Sequence, residues 1–424
     1  MKIIENSKVK EKLYIEKLKN GLTVMLIPKK NIQKKYLIWG TNYGSIDSNF
    51  VVPGEKEETK VPMGIAHFLE HKMFEQPDGT NSLDTLTALG VDANAYTTND
   101  HTAYLFETTD NFYEAMTELM DYVQHPYFTD ENVEKEKGII GQEINMYSDS
   151  PDWKVYLNAL KAMYHNNPVK IDIAGTIESI NQINKDILYK CYNTFYNPSN
   201  MTLVISGDFN PEEMIEEVKN RLIDVKSNGK IKRIYPEEPE TIVQEKIEEK
   251  LEVSQPMYAI GIKDTNKDCD KEIVKKHISI EILLRLIIGK SSKLYKELYD
   301  EGIIYSRPSL DYEFSKTYAH IMMMGQSNNP EELYNRIKKK IQNLKENGIN
   351  EEDMNRTKKM IYGGYVREYN DVADIARMFL SDNFKGINSF DYLEEIEGIN
   401  VEYLTQVLED VFKEDKMVIS IVKN

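Results

Sequence analysis

The sequence predicts an α+β protein of two homologous domains, each a mainly antiparallel sheet packed with helices. Three observations carry this reading. At 424 residues the chain exceeds what a single hydrophobic core organises, and two domains of roughly 200 residues are expected. Its first half opens with period-two alternation and continues with helical periodicity. Asn329 to Ile361 then echoes Asn111 to Ile140 as helix, short break and helix, which marks a duplicated domain.

Tyr14 to Pro28 alternates around Asn20-Gly21, a hairpin signal, and Lys35 to Gly44 reads as another strand. Val61 to Phe74 reads as a helix, Ser82 to Leu89 as a second one ended by Gly90, and Asn94 to Thr108 as one long strand or a hairpin. Asn111 to Gln124 is an amphipathic helix, and Asp130 to Asp149 is helical with Thr129 placed as its N-cap. Met201 to Asp208 is a β-branched strand leading into the helix start Asn210-Pro211-Glu212. The polar stretch that follows, with Ser-Asn-Gly at 227–229 and prolines at 236 and 239, has the composition of an exposed connection. The expected division is therefore 1–222, a connection at 223–249, and 250–424.

A formal charge of −17 repels polyphosphate, and no basic stripe offsets it, so nucleic acid is not an expected partner; cationic peptides are electrostatically more welcome. No segment approaches the ~18 uncharged apolar residues that a membrane span needs, and Met1 to Asn20 carries charges every few residues, so neither membrane nor secretion is expected. Cys191 and Cys269 stand far apart without a ligand-spaced mate, which fits a reducing, cytoplasmic setting in which both are filler.

His67-Phe68-Leu69-Glu70-His71 carries the chemistry. Two imidazoles four residues apart lie on one helix face, a turn from each other, where both reach one ion. Glu70 lies on the same side, placed to take a proton from water beside a metal, as a general base of hydrolysis does. A catalytic zinc ordinarily takes three protein ligands, and Glu136 and Glu143, seven residues apart, share one face of a downstream helix. One of the two can bind metal while the other orients a histidine. In the second copy Thr357 overlays Glu136 and Gly364 overlays Glu143, so only the first copy can hold metal. His101, His125, His165, His277 and His320 have no mate at ligand spacing and read as structural, Met322 to Met324 as core, and Arg336 to Lys345 as the solvated face of a helix.

The string Met63-Gly64-Ile65-Ala66-His67-Phe68-Leu69-Glu70-His71-Lys72-Met73-Phe74 resembles the pitrilysin, insulysin and mitochondrial processing peptidase family, the inverzincins. Asn94-Ala95-Tyr96-Thr97, Glu136 to Glu143, Gly175-Thr176, Tyr196 to Met201 and Ser206-Gly207-Asp208 extend the resemblance over the chain. The resemblance implies one zinc per chain held by His67, His71 and Glu143, Glu70 as general base, Glu136 as the supporting carboxylate, and Asn94 and Ala95 on the backbone of an extended peptide substrate. It also implies a second pair of domains, on this or another chain, closing a chamber around peptides.

Many relatives carry an Arg and a Tyr seven residues apart that bind substrate. Tyr305 matches the tyrosine, but Leu298 stands in the arginine's place. The chain thus resembles the zinc-bearing member of bacterial pairs and is expected to act with a paralogue lacking the zinc motif, with a homodimer as the alternative. A catalytically inactive scaffold subunit, or a maturase dedicated to one peptide, are the competing functions.

Overall fold

The computed structural model describes residues 1–265 and 271–424, and the architecture is α+β, with antiparallel pairs predominating in both main sheets. Cys269 lies outside the described residues; Cys191 is buried in the first core. The chain forms two units, each assembled from three separate stretches.

The first unit comprises Met1–Ile144, Asp172–Tyr235 and Val366–Phe384. Its seven-stranded sheet runs in the order Lys2–Asn6, Glu11–Lys17, Thr23–Pro28, Met201–Gly207, Lys35–Thr41, Thr102–Thr108, Asp92–Thr97. The hairpin around Asn20-Gly21 forms as expected, with Gly21 at φ 96°, a value at which side chains are strained. Asn94 to Thr108 is two antiparallel strands, which leaves Asp92–Thr97 at the end of the sheet. Thr129 caps the glutamate helix Asp130–Ser148, its Oγ1 accepting from the Asn132 N–H while Asn132 Oδ1 accepts from the Thr129 N–H.

The second unit comprises Asn145–Ile171, Pro236–Tyr365 and Lys385–Asn424. Its five strands follow the order Lys246–Lys250, Met417–Lys423, Met257–Asp264, Ala319–Gln326, Ser309–Phe314. This repeats the last five places of the first sheet, including the parallel first pair and the antiparallel remainder. The duplication inferred from one pair of helices thus extends to a five-strand sheet topology.

Helices cross over between the two halves of the sequence. Pro151–Met163, from the first half, packs on strands Met257–Asp264 and Met417–Lys423 of the second unit. Most of Val372–Lys385, from the second half, belongs to the first unit. Each lies against a glycine in the equivalent central strand. A Cβ at Gly40 would meet Leu380 Cδ2 at 2.9 Å, and a Cβ at Gly261 would meet Met163 Cε at 2.9 Å. Strand alternation explains the arrangement: Leu37 and Trp39 enter one core while Tyr36 and Gly40 face the crossing helix, where Arg377 Nε donates to the Tyr36 hydroxyl at 2.7 Å. Leu380 is fully buried there, worth about 1.5–3 kcal/mol. Neither crossing helix figured in the contiguous division at 222 and 250.

The stretch 223–249 is also more structured than its composition suggested. Lys232–Arg233 pairs with Asn49–Val51, and Lys246–Lys250 pairs with Met417–Lys423. Within the second unit Glu238 accepts from the backbone N–H groups of His165, Asn166 and Asn167 and pairs with the buried Lys263 at 2.5 Å. Polar composition here reflects a satisfied, half-buried carboxylate as well as exposure.

Candidate metal centre

The motif helix is Ile65–Lys72, shorter at its start than the periodicity of Val61 to Phe74 suggested. Gly64 is its N-cap, at φ 88°, and makes no side-chain cap. A Cβ there would collide with the Ala174 carbonyl oxygen, and one on Gly175, at φ 79°, would meet Met63 O at 2.6 Å. These two glycines let the loop at 172–175 close onto the helix start, and Ser179 Oγ ties it by donating to Met63 O at 2.8 Å. Ile65, Phe68, Leu69 and Lys72 form the buried stripe of the helix, which sets His67, Glu70 and His71 along one edge of the core.

From that edge the histidines meet the glutamate helix. Glu143 Oε1 lies 3.8 Å from His67 Nε2, and its Oε2 lies 3.6 Å from His71 Nε2. One ligand atom from each of His67, His71 and Glu143 falls within 4.8 Å of the others. Glu136, two turns earlier, stands behind His71: its Oε1 is 3.1 Å from Nδ1. With Nδ1–H donated to Glu136, the lone pair of His71 Nε2 points toward Glu143. Geometry thus separates the two glutamates that sequence spacing left interchangeable. Two imidazoles and one carboxylate at this separation suit a zinc ion, so the residues present fit that cofactor.

The electrostatics are consistent with metal binding. Burial, and then the neighbouring His71, push the His67 imidazole down to about 3, which keeps it neutral with a lone pair to give. For His71 burial acts downward, but the hydrogen bond to Glu136 and the charges of Glu70, Glu136 and Glu143 raise it. Glu136 shows the converse: burial pushes up, while His71 and Lys72 prevail and hold it below the ordinary carboxylate range. Glu70 is 6% exposed, and its burial lifts the carboxyl to about 7 against the opposing hydrogen bond from Thr97.

Asn94 and Ala95 lie on the end strand Asp92–Thr97, which pairs on one side with Thr102–Thr108 and has no second strand partner among the described residues. The Ala95 N–H is directed to Asn94 Oδ1 at 2.9 Å instead of into the ladder. A cavity of about 380 Å³ opens beside this strand, lined by Glu70, His71, Asn94, Ala95, Glu136 and Ile139 among others. Tyr305 belongs to the second unit, is 52% exposed, and hydrogen-bonds Asn328. Leu298 is fully buried in the core of the second unit.

Two residues at the site went unassigned in the sequence. Thr97 Oγ1 donates to Glu70 Oε2 at 2.6 Å, a contact between elements 27 positions apart that no local pattern announces. Lys72 is 1% exposed and pairs with Glu75 and Glu136. Its signal was present: it occupies the fourth place of the i, i+3, i+4, i+7 stripe begun by Ile65, where a charge needs a buried partner.

Residues 50–177 match the family model described as insulinase (peptidase family M16), and residues 182–361 match the model described as peptidase M16 inactive domain. The chain belongs to peptidase family M16. It is 40% identical over 422 residues to the uncharacterized zinc protease YmfH of Bacillus subtilis, covering 99% of this chain and 98% of that protein. It is also 27% identical to the mitochondrial-processing peptidase subunit beta of Dictyostelium discoideum over 43% of this chain and 41% of that one. Among solved structures, an M16-like peptidase from Alicyclobacillus acidocaldarius superposes with a TM-score of 0.94 at 35% identity, covering 99% of this chain and 100% of the other.

Proposed function

We propose that the chain is a zinc-dependent endopeptidase whose zinc is held by His67, His71 and Glu143. The observation that carries this is the convergence of their three ligand atoms within 4.8 Å, beside a buried Glu70 on the helix of the two histidines. Held there by His67, His71 and Glu143, a zinc ion would supply Lewis acidity. Glu70 accepts a proton as the water oxygen adds to the carbonyl carbon, then delivers it to the amide nitrogen as the C–N bond breaks; a carboxyl lifted to about 7 by burial is poised to do both. Glu136 holds the His71 ring by its Nδ1–H. The free side of Asp92–Thr97 receives the peptide as an added strand, its backbone read at Asn94 and Ala95.

Elemental analysis of the purified chain, run with peptide cleavage by wild type and Glu70→Gln, tests this. Near one zinc in both, with cleavage lowered by about 10²–10⁴-fold in the variant, is the expected result. A wild type without zinc, or undiminished cleavage by Glu70→Gln, overturns it.

We further propose that full activity needs a paralogous subunit without the zinc motif. In its support, the second copy has Thr357 and Gly364 in place of the two glutamates, and the position of the expected arginine is the buried Leu298. Tyr305 then remains as a lone substrate contact. Full-rate cleavage by the isolated monomer is the outcome incompatible with this.

A further inference from the structure

A lysine ammonium buried to 1% exposure at the root of a catalytic helix requires an account. Lys72 is the last residue of Ile65–Lys72 and directly follows His71. Its Nζ meets two carboxylates: it donates to Glu75 Oε2, and it lies 3.5 Å from Glu136 Oε2. The other oxygen of Glu136, Oε1, is the one 3.1 Å from His71 Nδ1. Glu136 is therefore held at both oxygens by adjacent residues of a single helix, one gripping each.

We propose that Lys72 is a positioning residue: it anchors Oε2 of Glu136 so that Oε1 stays aimed at His71 Nδ1, which fixes the ring with Nε2 toward the metal position. This rests on the zinc-peptidase reading above. Without such an anchor the Glu136 carboxylate is free to turn about its terminal torsion, which is broad and nearly two-fold. Residues that orient a metal-bound imidazole typically contribute 10–100-fold to metal affinity or activity. A methionine of similar length would fill the same volume, so packing alone does not call for a cation, and a buried cation is costly unless paired. Glu75 is 29% exposed at its side chain and compensates the remaining charge.

Zinc affinity, read by competition with a chromophoric chelator, tests the proposal in Lys72→Met, in Glu136→Gln and in the double variant. Lys72→Leu, which likewise removes the cationic donor, is run beside it in case Lys72→Met does not fold. We expect each Lys72 variant to lose about tenfold in zinc affinity and Glu136→Gln a similar amount. The double variant should lose no more than Glu136→Gln alone, because Lys72 acts through Glu136. Losses that multiply in the double variant, or zinc affinity unchanged in a folded Lys72 variant, overturn the proposal while leaving the zinc site intact. Absence of zinc from wild type overturns the zinc-peptidase reading itself, and this proposal with it.

Discussion

Thr97 Oγ1 donates a 2.6 Å hydrogen bond to Glu70 Oε2, joining the strand that would receive substrate to the base that would act on it. The bond favours the ionised carboxylate and opposes the burial that raises it. Thr97→Val removes the hydroxyl and keeps the shape. Glu70 then holds its proton to higher pH, so the acid limb of kcat/KM moves upward in pH. A loss of about tenfold at neutral pH is expected, equivalent to about 1.4 kcal/mol. The full pH–rate profile is the check; a limb that stays in place denies Thr97 this role.

The two glutamates of the Asp130–Ser148 helix should separate on mutation. Glu143→Gln removes the one carboxylate that reaches both Nε2 atoms, and zinc should be lost on dialysis. Glu136→Gln removes the support behind His71, and zinc should be retained with about 10–100-fold weaker affinity. Equilibrium dialysis distinguishes the two, and the reverse ranking would exchange their roles.

The outward N–H of Ala95 gives a test on substrate. Proline is tolerated on an edge strand where the N–H is not in the ladder, so Ala95→Pro should fold. It removes one donor to an added peptide strand, and KM should rise several-fold, in line with about 0.5–1.5 kcal/mol for a hydrogen bond, with zinc content unchanged. An unaltered KM would move the peptide away from this strand.

Stability in acid should depend in part on the buried histidines of the second unit, besides His67 in the first. His320 is wholly buried, with Nδ1 3.0 Å from the Tyr164 hydroxyl, and burial lowers its basicity; His277 is lowered for the same reason. The folded state therefore binds fewer protons than the unfolded state, whose histidines titrate near about 6.5. Stability falls as pH drops below that value, by up to about 1.4 kcal/mol per pH unit per histidine, until the folded pKa is reached. Urea midpoints of wild type and His320→Gln at about pH 7 and about pH 5.5 measure this. The variant should show the smaller drop, and equal drops would remove His320 as a source.

Much of the site was legible because the residues that make it are close in sequence. His67, Glu70 and His71 fall within one helical turn and a half, and Glu136 and Glu143 within two, so helix geometry alone groups them. Spacing along one helix left the two glutamates interchangeable; the family resemblance put Glu143 on the metal, and a distance between helices, which that spacing does not contain, sets Glu143 beside both Nε2 atoms and Glu136 behind His71. Thr97 was hidden for the same reason. The hairpin, the glutamate helix and its Thr129 cap follow local rules and formed as expected. The crossing helices did not, because a helical pattern reports that a face is buried and is silent about which sheet buries it.

Those crossings bear on how the chain can be divided. Severing it anywhere in 236–250 would yield a leading piece that carries Pro151–Met163, a helix whose strands are in the trailing piece. The trailing piece would in turn carry off the helix that covers Gly40. Neither product would be a finished domain, and each would expose an apolar face at the gap. Although its topology is that of a tandem repeat, neither copy is closed within its own half of the sequence.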